Sequence, residues 1–123
     1  MMSHSWQYPA STASIASARN AVAAAVSEDG HPALAEDARL LTSELATNAV
    51  VHAASGFGVR ALVDERIVRL EVVDRSPVMP VRRHPAPDDP SGRGYHIVDA
   101  LSAHWGIESA PPGKMIWVEL AEN

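Results

Sequence analysis

Val59-Arg60-Ala61-Leu62-Val63-Asp64-Glu65-Arg66-Ile67-Val68-Arg69-Leu70-Glu71-Val72-Val73 is the stretch on which the architecture turns. β-Branched residues crowd both arms, and the charges at Asp64, Glu65 and Arg66 interrupt them, which predicts an antiparallel hairpin over 59–63 and 67–73. Upstream the apolar period is helical. Ile15, Ala18, Val22 and Val26 recur at helical spacing within 11–28, with Ser11 or Ser14 available as N-cap. Gly30 stops that helix, and Pro32 opens a second one over 32–54, with Leu34, Ala38, Leu41, Leu45 and Ala49 as its apolar stripe. Downstream, residues 76–93 carry five prolines and no sustained period, so they read as a loop. A loop of that length inside a compact domain is usually a lid or a binding loop. A helix is expected over 94–103, followed by short strands over 104–108 and 115–120 that turn at Pro111, Pro112 and Gly113. Helices and strands are segregated along the chain, with no β-α-β alternation. The expectation is an α+β two-layer sandwich, a mixed, mostly antiparallel sheet with helices on one face, and not a Rossmann-type winding.

Bulk composition narrows the function. A chain of 123 residues fits a single domain, 1–123, with 46% hydrophobic and 20% charged residues. Its net charge of −5 lacks the basic footprint that phosphate neutralisation requires, so direct nucleic-acid binding is disfavoured. Cysteine is absent, which removes disulfides, thiolate zinc sites and cysteine nucleophiles together. The histidines show no H-E-x-x-H spacing, so a zinc site is not expected. The first ten residues carry no basic stretch followed by an apolar run, and no apolar run approaches the ~20 residues of a membrane span. A cytoplasmic protein without membrane contact is the expectation.

Three segments carry chemistry. In Ser43-Glu44-Leu45-Ala46-Thr47-Asn48-Ala49-Val50-Val51-His52, the polar residues Glu44, Asn48 and His52 stand at i, i+4 and i+8. On an α-helix each such step turns only ~40°, which places all three on one stripe beside the apolar row. The stripe is either a solvated face or a pocket wall. Asn48 favours the wall, because Asn is a weak helix former in mid-helix. In Leu70-Glu71-Val72-Val73-Asp74-Arg75-Ser76-Pro77 a strand ends in a carboxylate. Asp74 there is either a turn-former or the acceptor for an exocyclic amine such as adenine's. In Ser91-Gly92-Arg93-Gly94-Tyr95-His96-Ile97-Val98, a Gly-x-Gly opens a helix. It reads as a hinge or as a cradle whose backbone N–H groups approach phosphate oxygens.

Taken in order, these segments resemble the GHKL superfamily of ATPases and kinases, and within it the single-domain serine/threonine kinases that double as anti-sigma factors. Ser43-Glu44-Leu45-x-x-Asn48-Ala49-x-x-His52 is similar to that family's N box, Asp74-x-Ser76-Pro77 to its first glycine box and Gly92-Arg93-Gly94 to its second. The closing strands, through His104-Trp105-Gly106 and Gly113-Lys114-Met115-Ile116-Trp117-Val118-Glu119-Leu120, resemble the same subgroup, and the likeness runs from Ser11 onward. The resemblance implies a Bergerat-type ATP-binding fold with ATP and Mg²⁺ as cofactors and an ATP lid over 76–93. It implies Asn48 as the Mg²⁺ ligand, Glu44 as the general base toward a serine hydroxyl, and Asp74 as the adenine reader. Gly92 and Gly94 would close over the phosphates, Arg93 would add a cation, and His52 and Ser76 would complete the nucleotide-binding set. The implied partners are an anti-sigma-factor-antagonist-like protein, a sigma factor, or both, and a homodimer is left open. A non-catalytic ATP/ADP-binding regulatory module is the alternative. Two positions depart from the pattern: Ser76 replaces the usual Gly, and Met115 stands near where a threonine supports the adenine-reading Asp.

Overall fold

The computed structural model describes residues 1–76 and 97–122. Its order is β1 (Met2–Tyr8), α1 (Thr12–Glu28), a 3₁₀ turn (Pro32–Leu34), α2 (Ala35–Thr47), a π-helical turn (Asn48–Ala53), β2 (Phe57–Val63), β3 (Ile67–Asp74), β4 (His104–Ala110) and β5 (Gly113–Ala121). Residues 97–101 are helical. The expected lid and the Gly92-Arg93-Gly94 segment lie outside the described residues, apart from Ser76.

The strands form one sheet in the order β1-β2-β3-β5-β4. Every pairing among the described residues is antiparallel, as the expectation of a mostly antiparallel sheet had it. Strand β1 is an addition to the sequence reading. It pairs with β2 from Met2↔Val63 to Tyr8↔Phe57 and covers what would otherwise be an open edge.

Side-chain alternation divides the two faces of the sheet. Phe57, Val59, Ala61 and Val63 of β2 point to the helices, as do Val68, Leu70 and Val72 of β3 and Ile116, Val118 and Leu120 of β5. They merge into one core with Ala18, Val22 and Val26 of α1 and with Ala38, Leu41 and Leu45 of α2. Removing each large aliphatic side chain of this set from water contributes about 1.5–3 kcal/mol, which is what holds the helix layer on the sheet. The outer face is polar. There the Glu71 carboxylate receives Arg69 at 2.9 Å and faces Arg60 at 3.7 Å, while the Arg69 guanidinium lies 4.5 Å from the Trp117 ring centroid.

Turn chemistry sets the element boundaries. Gly30, at φ +108°, occupies the left-handed region that ends α1. Between β2 and β3 the Asp64 carboxylate accepts the N–H groups of Ile67 and Arg66 at 2.7 and 2.8 Å. Those two bonds, Ile67 first, hold its carboxyl below the usual carboxylate range.

Candidate functional site

Glu44 and Asn48 close α2. The Asn48 N–H donates to the Glu44 carbonyl in the last α-helical turn, so the two residues stand one turn apart. Both are half-buried, flanked by the buried Leu45, Ala46 and Ala49.

Beyond Asn48 the helical geometry changes. From Asn48 to Ala53 the helix is π, and the Ala54 N–H reaches back to the carbonyl of Ala49. A π turn spaces its residues differently from an α turn, so the ~40° step holds from Glu44 to Asn48 and not from Asn48 to His52. The side chain of His52 is outside the described residues. One local cause is visible: the Thr47 hydroxyl donates to the Ser43 carbonyl at 2.6 Å, a back-bond that competes with the helical ladder and bends helices. π turns are frequent at functional sites, and this one begins at Asn48, the Mg²⁺ ligand that the resemblance implies.

The turn ends at Ala54, an exposed non-glycine residue at φ 51° and ψ 38°. Ala54→Gly removes a left-handed Cβ and sacrifices no buried contact. Stability to denaturant should rise by about 0.5–1 kcal/mol, the strain relief exceeding the added chain entropy. An unchanged midpoint would mean that the left-handed conformation costs the chain nothing.

Asp74 is the last residue of β3 and continues the helix-facing row Val68, Leu70, Val72. Its side chain is buried and held by three short contacts. Oδ1 accepts the Ser76 N–H at 2.9 Å and Lys114 Nζ at 3.1 Å, and Oδ2 accepts Lys114 Nζ at 2.9 Å. Ser76, the departure from glycine, thus supports the carboxylate through its backbone. The adjoining Arg75 N–H donates to Ser55 Oγ at 3.2 Å, tying the end of β3 to the exit of the π turn. The Asn48 and Asp74 segments, separate in sequence, are joined there.

Sequence reasoning missed Lys114 and misplaced its neighbour. The β3–β5 register pairs Val73 with Met115 and Asp74 with Lys114. Met115 therefore shares the outer face with Val73 and lines a groove there with Gln7, Arg60 and Glu71. The position that supports Asp74 from the last strand is Lys114, and a lysine can donate where a methionine cannot. One signal was available: Lys114 is the single lysine of a chain whose other nine basic residues are arginine. Gly113 completes the arrangement, since a Cβ there would stand 1.9 Å from the Asp74 carbonyl oxygen and 2.6 Å from the Arg75 Cα. Only glycine lets β5 approach the end of β3 this closely.

A half-buried Glu–Asn pair on a helix, a buried strand-end carboxylate on the same side of the sheet and a shared hydrogen-bonded corner are now in place. A family model, that of the histidine kinase-like ATPase domain, matches residues 8–120. The chain belongs to the histidine kinase-like ATPase domain family. No curated protein matches it. The match spans α1, α2, β2, β3 and β4 entire and ends one residue short of β5's last residue, so the α+β sheet with its helix layer is that domain's fold. Among the described residues, no helix of this histidine kinase-like ATPase domain is long and apolar enough to cross a membrane. Also among them, no group of three or more His, Cys, Asp or Glu side chains converges to form a metal cage. Asn48 offers one neutral side-chain oxygen, a donor that would suit a magnesium ion otherwise held by phosphate and water oxygens.

Proposed function

We propose that this histidine kinase-like ATPase domain is a cytoplasmic, Mg·ATP-dependent serine/threonine kinase. Its substrate is a small anti-sigma-factor-antagonist-like protein, and its second activity is to bind and withhold a sigma factor. The observation that supports it is the pairing of Glu44 with Asn48 one α-helical turn apart, both half-buried where the helix borders the core.

Asn48 would hold the magnesium through its side-chain oxygen, and the ion, when bound, neutralises charge on the phosphate oxygens during transfer. Asp74 receives the exocyclic amine of the base. Glu44 takes the proton from the attacking serine hydroxyl as that oxygen bonds to the terminal phosphorus and the bond to the leaving ADP oxygen breaks.

Incubation of the full chain with γ-labelled ATP, Mg²⁺ and candidate antagonist proteins tests the reading. Label on a partner serine or threonine is the expected result. Nucleotide binding with no transfer to any partner would assign the chain to the non-catalytic ATP/ADP-binding regulatory modules instead.

A further inference from the structure

Asp74 and Lys114 form a buried ion pair at the place where the proposed function requires a base to be read. Their valences are countable. A carboxylate offers about four acceptor sites, and Asp74 has filled three, two with Lys114 Nζ and one with the Ser76 N–H. An ammonium offers three donors, and Lys114 has committed two, one to each Asp74 oxygen. Among the described residues one acceptor site and one donor are left over, on groups whose side chains are only 4% and 9% exposed.

A lone carboxylate at this position would discriminate sharply between purines. It accepts from the 6-amino group of adenine and repels the 6-carbonyl oxygen of guanine or hypoxanthine. An adjacent ammonium changes that balance. Adenine presents a donor at N6 beside an acceptor at N1; hypoxanthine and guanine present an acceptor at O6 beside a donor at N1. The Asp74–Lys114 couple offers one acceptor and one donor: Asp74 accepts the N–H, from N6 of adenine or N1 of a 6-oxo purine, and Lys114 donates to N1 of adenine or to O6, the 6-oxo base presenting its edge turned over relative to adenine. Because the pair is neutral as a whole, it presents no net charge to either base.

We infer that Lys114 is a specificity-determining residue that reads the base together with Asp74 and makes the site accept 6-oxo purine nucleotides alongside ATP. The inference rests on the nucleotide site proposed above. Specificity is a difference of affinities, and what Lys114 removes is the repulsive element that would exclude the carbonyl.

The test is competition binding of ATP, ITP and GTP, each with Mg²⁺, to the full-length chain and to two variants. Wild type should bind ITP and GTP within about tenfold of ATP, since each base edge finds both partners. In Lys114→Thr a hydroxyl keeps one hydrogen bond to Asp74 but its single proton is then spent, so no donor is left for O6. The ITP/ATP ratio of dissociation constants should rise by about 10- to 100-fold, mostly through weaker ITP binding. Lys114→Met, which keeps the aliphatic stem and leaves the carboxylate alone, should shift the ratio in the same direction. The wild-type ratio decides the matter even where neither variant folds. Rejection of ITP and GTP by more than about a hundredfold in wild type, with ATP bound, overturns this inference and leaves the nucleotide site standing. An unchanged ratio in Lys114→Thr overturns it as well. Failure of all three nucleotides to bind overturns it together with the nucleotide site.

Discussion

Gly113→Ala is expected to cost about 3 kcal/mol or more of stability and to weaken any ligand held at the end of β3. The added methyl group would sit 1.9 Å from the Asp74 carbonyl oxygen, inside van der Waals contact with backbone that cannot rotate away. Overpacking of well-filled interiors costs roughly 1–3 kcal/mol even where side chains can yield. Here the strand ends must part, and parting them pulls Lys114 from Asp74. Breaking a buried pair so that one charge is left uncompensated costs about 3–5 kcal/mol. The contrast is Gly30→Ala, where a Cβ meets nothing within 4 Å and only the φ of +108° is strained. That substitution should cost about 1 kcal/mol. Chemical denaturation of the two variants measures both, and equal losses would mean that the β3–β5 approach is not tight.

Glu44→Gln carries the second large effect. Gln keeps the shape and a hydrogen-bonding oxygen and loses the proton-accepting ability. General-base catalysis supplies about 10²–10⁴-fold, so phosphoryl transfer to the partner should fall by that range while nucleotide affinity changes little. A half-buried side chain on the helix surface tolerates the isosteric change, so the fold should persist. Full activity in Glu44→Gln would place the base elsewhere or show that transfer needs none.

The helix-then-hairpin order was legible because period carries it: Leu41 and Leu45 keep the helical spacing, and the arms around Asp64 are β-branched and break at a charged turn. The strand β1 was legible too. His4, Trp6 and Tyr8 alternate with Ser3, Ser5 and Gln7, the two-residue period of a half-buried strand. The π turn at Asn48 was not legible. An α and a π turn differ in which carbonyl each N–H selects, and residue spacing alone assumes the α choice. The Asp74–Lys114 pair lay further out of reach, because its partners are 40 residues apart and meet only through the register of two non-consecutive strands. A shift of one residue in that register would have put Met115 against Asp74, the neighbourhood in which the resemblance implies the supporting threonine.

Calorimetric titration of the chain with ATP, in Mg²⁺ and again in excess chelator, bears on the central claim most directly, with Asn48→Ala carried alongside. The account predicts single-site binding in Mg²⁺ that weakens clearly when the metal is removed. In Asn48→Ala it predicts a folded protein whose residual binding no longer responds to Mg²⁺, since that side chain borders the core without filling it. No heat of binding for ATP or ADP at millimolar concentration with Mg²⁺ present would contradict it.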